Sequence, residues 1–360
     1  MSIYFFLFPL AKTNIVIYNI GKQSTRRKIM KLNAIFASNM VFAANKPIRI
    51  YGNGNGRAEI SFAGSVKEVV SENGSWLVEF PEMDYGGPYE LTFKSETGTV
   101  ILSDIYVGEV YLFAGQSNMQ FKLSESSTPP EKHESNDLVR LFSTDRIEKA
   151  DRFTPDDGWV KCEKDQAKYW SAIGYLTSMQ IAKQKGVAIG AIVCYQGASV
   201  IESWVPAGTY TKMGIELKPE EKHQDHFYKE FSEWNGDGVL YSFGFSQIAP
   251  FSLSAVVWYQ GESDSTVEEA RVYKQELAEM INIWRKDLKN DDLPFIVVQI
   301  ADYDPRDDEG WHTIQRAQAD ISKELDNVKT VISADVCEKD NIHPPTKDIL
   351  SERIAKALTE

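Results

Sequence analysis

Cysteine is scarce in this 360-residue chain. Its three thiols, Cys162, Cys194 and Cys337, fall in no disulfide framework and no metal-ligand spacing. No metal and no cofactor is therefore expected, and Cys194, inside an apolar run, reads as a buried core thiol. Positive charge is also short: 39 Lys and Arg stand against 52 Asp and Glu, a net charge of −13. With no basic stripe either, nucleic acid and anionic membranes are excluded as partners. Long apolar runs are lacking, since the run from Ile3 to Leu10 is too short to span a bilayer. Histidine is rarer than any of these absences requires. There are five: His133, His223, His226, His312 and His343. The pair His223 and His226 sits in a charged stretch that reads as a solvated loop rather than a cation site.

What remains is an ordinary globular composition, 42% hydrophobic and 25% charged, which suits a folded enzyme with an α/β core and a smaller module. From about Pro47 to Ile101 the pattern is short strands with turn signals, such as Ile48 to Tyr51, Ala58 to Phe62, Ser75 to Phe80 and Tyr89 to Phe93. Strands at that spacing predict a small antiparallel sandwich. Beyond it, strand and helix alternate. Ser265-Thr266-Val267-Glu268 matches a capping box opening a long helix, with an inward stripe of Ala270, Tyr273, Leu277, Met280, Ile281, Trp284 and Leu288. Pro294 to Ile300 and Val328 to Ala334 read as strands, and about Asp348 to Leu358 as a helix with Ile349, Ile354, Ala355 and Leu358 inward. The fold class is α/β: a three-layer α/β/α domain with a mainly parallel sheet, preceded by a small β-sandwich. The divisions are 1–31 as a non-native or disordered extension, 32–104 as the sandwich, and 105–360 as the catalytic domain, with a polar insertion at about 208–238.

Four polar clusters stand at the ends of four apolar strands. Gly115-Gln116-Ser117-Asn118-Met119 follows Val107 to Phe113, and a tight turn there lifts the Ser117 hydroxyl out of the sheet edge. Asp340-Asn341-Ile342-His343-Pro344 lies on a strand-to-helix loop, where His343 can take a proton from a serine and Asp340 can fix its tautomer. Trp258-Tyr259-Gln260-Gly261-Glu262-Ser263 offers the Gln260 amide to a developing oxyanion. Tyr195-Gln196-Gly197-Ala198 offers the Gly197 N–H. Ligands of open α/β sheets bind at the carboxyl ends of the strands, so these clusters are expected to converge.

Together, Gly-Gln-Ser-Asn-Met, Trp-Tyr-Gln-Gly-Glu-Ser and Asp-x-x-His-Pro resemble the sialate O-acetylesterase family of the SGNH hydrolases, related to the carbohydrate esterase family 6 acetyl xylan esterases. Tyr169 to Tyr175, Gly186 to Gly190 and Ile201-Glu202-Ser203-Trp204 extend the resemblance. It implies an SGNH-hydrolase, flavodoxin-like domain. It also implies Ser117 as nucleophile, His343 as general base and Asp340 as its orienter. The oxyanion hole would be made by the Ser117 and Gly197 N–H groups and the Gln260 side chain, so that Gln260→Ala costs turnover without unfolding. Gln116, Asn118, Glu202, Trp204 and Glu262 adjoin the motifs and are candidates for shaping the substrate pocket; for Trp204, sugar stacking competes with core packing. Arg316 stands one position from where the family pattern carries an arginine, about 100° around a helix, and receives no role.

The activity implied is removal of O-acetyl groups from sugars, with sialic acid as the substrate. Acetyl xylan, or another acetylated plant sugar, is the alternative within enzymes. A non-catalytic carbohydrate-binding protein on an esterase scaffold is the alternative from another class. At the N-terminus, Met30 to Ala44 imitates a signal peptide, yet Ile35 to Phe42 fits the first strands of the sandwich. The expectation is therefore a start at Met30 and a cytoplasmic enzyme, the alternative being secretion. Neither oligomeric state nor acetyl position is readable.

Overall fold

The computed structural model describes residues 29–145, 158–215 and 233–360. The expectations placed on residues 1–28, on His223 and His226, and on 216–232 of the polar insertion lie outside these. Strands β1 (Lys31–Leu32), β2 (Val41–Ala43), β3 (Ile48–Asn53), β4 (Gly56–Phe62), β5 (Ser65–Ser71), β6 (Ser75–Phe80), β7 (Gly86–Ser95) and β8 (Gly98–Gly115) follow in close succession. β1, β3 and β6 form a small antiparallel sheet. β4, β5, β7 and the first half of β8 form a second antiparallel layer.

Alternation explains why the two layers face each other. Ala58, Ile60 and Phe62 of β4 are buried, as are Trp76, Val78 and Phe80 of β6, with the residues between them more open. The inward rings meet across the gap: Phe62 lies edge-on to Phe80 at 6.2 Å, and Trp76 stacks on Phe93 at 5.4 Å. β5 went unread in the sequence because its Ser-Val-Lys-Glu-Val-Val-Ser face is almost wholly exposed and carries no burial pattern.

β8 joins this unit to the rest. Its first half pairs with β7, and from Glu109 onward it runs parallel to β11 (Ile189–Tyr195). The division expected at 104/105 therefore falls inside one continuous strand. The central sheet adds β9 (Asn136–Ser143), β10 (Val160–Cys162), β12 (Ala255–Tyr259), β13 (Phe295–Val298) and β14 (Val328–Val331). Its order is β10-β9-β11-β8-β12-β13-β14, with every pair parallel except the β10 edge. Central strands buried on both faces read as continuous apolar runs, and all seven residues from Val110 to Gln116 are buried.

The helix pair Ala172–Lys185 and Asp348–Thr359 covers one face, and the pair Val267–Asp287 and Glu309–Glu324 the other. The expected stripe of Val267–Asp287 is buried from Ala270 to Trp284. Its cap sits one residue later than expected. Ser265 Oγ donates to the Glu262 carbonyl at 2.8 Å, which leaves Thr266 to accept from Glu269 N–H and to donate to the Glu269 carboxylate. In Asp348–Thr359 the inward stripe begins at Leu350, since Ile349 is 45% exposed. Among the described residues no helix is long and apolar enough to cross a membrane.

Candidate active site

β8 lies between β11 on one side and β12 on the other, so the strand order changes side across it, and crevices of open sheets form at such points. Gly115 ends β8 with φ of +139°, and a Cβ there would lie 2.0 Å from the Tyr259 carbonyl. Only glycine permits that approach. Gln116 N–H then donates to Tyr259 O at 3.0 Å, and the chain turns into the short helix Ser117–Gln120. Being first in that helix, Ser117 has an N–H with no intrahelical acceptor. Its hydroxyl makes no hydrogen bond among the described residues.

Ser117 opens onto a cleft of about 540 Å³, whose walls include Gln116, Gln120, Phe121, Lys122, Glu125, Gln196, Gly197, Trp234, Glu262 and His343. That volume suits a small ligand. The loop after β14 brings His343 into the same cleft, tilted against the Phe121 ring at 6.3 Å. Burial first, and then the Lys347 ammonium, push the His343 pKa below its ordinary value; Glu125 opposes them. The imidazole is therefore neutral at pH 7, the state a general base requires. Asp340, three residues before it, is exposed and makes no hydrogen bond or ion pair among the described residues.

Behind the nucleophile lies a polar hub that ties three loops together. Asn118 Nδ2 donates to Glu262 Oε1 at 2.6 Å and to the Ile342 carbonyl at 2.9 Å. Lys347 Nζ donates to Asn118 Oδ1 at 2.8 Å. Asn118 thereby locks the serine turn to the loop after β12 and to the histidine loop. Lys347 was not singled out by sequence: nothing in Pro345-Thr346-Lys347 marks a lysine that burial lowers to a pKa of about 8. Glu262, buried at the cleft wall, has its carboxyl pKa raised by burial, against the hydrogen bond from Asn118 and the Lys347 charge. Lys347→Met is expected to destabilise the fold by about 1–3 kcal/mol, as it leaves the buried Asn118 Oδ1 without its donor. Loss of the cation also favours the imidazolium, so the acid limb of any pH–rate profile moves to higher pH. Urea unfolding and the pH profile check the two effects separately.

The structure does not bring every sequence candidate to the cleft. Gln260 is fully buried, and its amide group donates to the Ser199 carbonyl and to Asp264, while Oε1 accepts from Tyr273 at 3.1 Å. Its donors are committed to bracing β12. Trp204 packs with Trp258 and Trp284 at 5.5 and 6.3 Å, so core packing wins over sugar stacking. Glu202 is half-buried and does not line the cleft. Arg316 is exposed and pairs with Glu309 at 2.6 Å.

Gln116 and Glu262 do line the cleft, and Gln116 Oε1 accepts from Gly261 N–H at 3.1 Å. Gly197 lies directly beside the nucleophile: a Cβ on it would sit 3.7 Å from Ser117 Cβ. Its N–H points to Gln120 Oε1 at 2.9 Å. Among the described residues no group of three or more His, Cys, Asp and Glu is placed to hold a metal ion.

A family model described as carbohydrate esterase, sialic acid-specific acetylesterase matches residues 107–360, well over half of the chain. The sialate O-acetylesterase of Homo sapiens is 25% identical over 330 residues, which cover 81% of this chain and 62% of that protein. That of Mus musculus is 25% identical over 344 residues, covering 80% and 63%. The chain thus spans less than two thirds of the length of these relatives. The crystal structure of a carbohydrate acetylesterase from Xanthomonas citri superposes with a TM-score of 0.79 at 26% identity, over 91% of this chain and 74% of that one.

Proposed function

The chain belongs to the sialic acid-specific acetylesterase family of carbohydrate esterases, and from that premise we propose that it is a serine esterase that removes O-acetyl groups from sialic acids. One observation carries the reading: Ser117 and a neutral, half-buried His343 line the same cleft at the carboxyl ends of the strands. Ser117 loses its proton to His343 and attacks the acetyl carbonyl. The oxyanion forms against the Ser117 and Gly197 N–H groups, the latter once Gln120 has swung away. His343 then protonates the leaving sugar oxygen, and water resolves the acetyl-Ser117 intermediate with the roles reversed. Asp340, close in sequence and without another described partner, turns onto the imidazole when substrate fills the cleft, where catalytic contacts tighten.

A sialate differs from a neutral sugar by its carboxylate. In a chain of net charge −13 that group needs a local cation, and Lys122 is the one Lys or Arg among the described lining residues. Acetate release is the test, measured on 9-O-acetylated sialic acid and on acetylated xylo-oligosaccharide. Sialate is expected to be the better substrate. Lys122→Ala is expected to raise KM about 5-fold for sialate, the worth of one exposed charge pair, and to leave KM for the neutral sugar unchanged. Equal or better turnover of the xylo-oligosaccharide would transfer the enzyme to plant-polysaccharide esters.

A further inference from the structure

His343 sits on neither a helix nor a strand. Between β14 and the helix Asp348–Thr359 the chain carries no regular element, so the place of the imidazole depends on what ties this loop together. At the tip, Asn118 Nδ2 holds the Ile342 carbonyl at 2.9 Å, and Asn341 Oδ1 accepts from the His343 N–H at 2.9 Å. At the neck stands a second tie, made by a residue that does not line the cleft. The part-buried carboxylate of Glu338 reaches across the loop to Thr346. Its Oε2 accepts from the Thr346 N–H at 3.2 Å, and its Oε1 accepts from the Thr346 hydroxyl. Both oxygens are thus engaged by one residue on the far side of His343. Burial would raise this carboxyl, but the bonds from Thr346 outweigh it and hold it below its ordinary value, ionised at pH 7. Outside contacts hold each limb of the loop separately. Asp304 N–H donates to the Lys339 carbonyl at 2.8 Å, and Ser127 N–H to the Pro345 carbonyl at 2.9 Å. Glu338 joins the two limbs to each other, as side chains do in compact loops with close ends.

We propose that Glu338 is a positioning residue for His343: by clamping Thr346 it closes the loop that presents the imidazole to the serine cleft. The inference rests on the esterase reading above. Glu338 is no part of the cleft wall, so its effect on rate is indirect. The clamp narrows the positions of the base and leaves the binding walls as they are, which changes kcat rather than KM. It also keeps the imidazole half-buried. Burial is the first cause of the lowered His343 pKa, followed by Lys347, with Glu125 opposing. An opened loop exposes the ring and lets its pKa return upward. Loss of the Glu338 charge by itself acts the other way, since a nearby carboxylate favours the charged ring. The direction in which the acid limb moves therefore separates positioning from electrostatics.

Glu338→Ala, Glu338→Gln and Thr346→Val test this, beside Ser117→Ala, with melting temperature and the pH profile of acetate release as readouts. Glu338→Ala opens the clamp and is expected to lower kcat about 10²-fold, the cost of a group displaced by about 1 Å, with KM within about 2-fold. Its acid limb of kcat/KM moves to higher pH. Thr346→Val keeps the backbone N–H bond and removes the hydroxyl, so it shifts rate and limb the same way by less. Glu338→Gln keeps one acceptor oxygen and recovers part of the loss. Adding Thr346→Val to Glu338→Ala costs nothing further, since the two residues form one tie. Where Glu338→Ala melts too low to assay, Thr346→Val and Glu338→Gln decide by the same readouts. An active wild type with a folded Glu338→Ala equally active overturns this inference alone. A loss of rate with the acid limb left in place makes Glu338 a general brace of the fold and also overturns it. Wild type without Ser117-dependent acetate release overturns both this and the esterase reading.

Discussion

Ser117→Ala is expected to lower kcat for acetate release by about 10⁶-fold, the loss seen when the nucleophile of a serine hydrolase is removed. The magnitude follows from the reaction's dependence on one covalent intermediate. Without Oγ no acetyl-enzyme forms, and what remains is the contribution of the donors and of binding, about 10³–10⁴ over water. The fold should not notice. Among the described residues Ser117 Oγ makes no hydrogen bond, so its removal strands no partner, and stability stays within about 0.5 kcal/mol. The neighbouring Asn118 behaves in the opposite way: its amide joins Glu262, Ile342 and Lys347, so substitutions there cost both fold and activity. Acetate release in single-turnover mode, with a melting curve on the same sample, separates the two positions. A Ser117→Ala protein retaining more than about a hundredth of wild-type turnover would place the nucleophile elsewhere.

The positions of the site's strands and of the serine turn were legible because they depend on short-range chemistry. Apolar runs that break into Gly-Gln-Ser or Gln-Gly mark strand ends, and the strands β8, β11, β12 and β14 lie where those runs predict them. Side-chain direction was not legible. Gln116, Gln196 and Gln260 all sit at strand ends beside a glycine, and sequence spacing does not say which amide faces the cleft. That is decided by Asp264 and Ser199, which capture the Gln260 amide group. Gln196 meets no such partner among the described residues. Trp204 was open between substrate and core for the same reason. Its indole N–H finds Ser199 Oγ at 3.1 Å and its ring finds two tryptophans from other elements, contacts fixed only by the tertiary fold. Lys347 was missed because a lone lysine in a polar loop normally belongs to solvent. Its burial depends on Phe121 and Tyr259, whose rings lie 5.1 and 5.5 Å from the ammonium.

His343→Gln is expected to match Ser117→Ala, and the double variant is expected to be no worse than either single one. The two groups share one proton transfer, and residues that act as a unit do not add. The pH dependence gives an independent handle. Below its pKa the imidazole is protonated and cannot accept from Ser117; above it, it can. Since burial and Lys347 lower that pKa from its ordinary 6.5, wild-type kcat/KM should rise through an ionisation below 6.5 and be level at neutral pH. His343→Gln removes that limb along with the activity. Asp340→Asn should cost less, at most about 10⁴-fold, because it leaves the base in place and removes only its orientation. It should also move the acid limb further down, since a carboxylate beside an imidazole favours the charged ring. If Asp340→Asn leaves both rate and limb unchanged, His343 works with Ser117 as a pair, and the exposed carboxylate has no part in the reaction. A limb above 6.5 in wild type would mean that Glu125, rather than burial and Lys347, governs the imidazole.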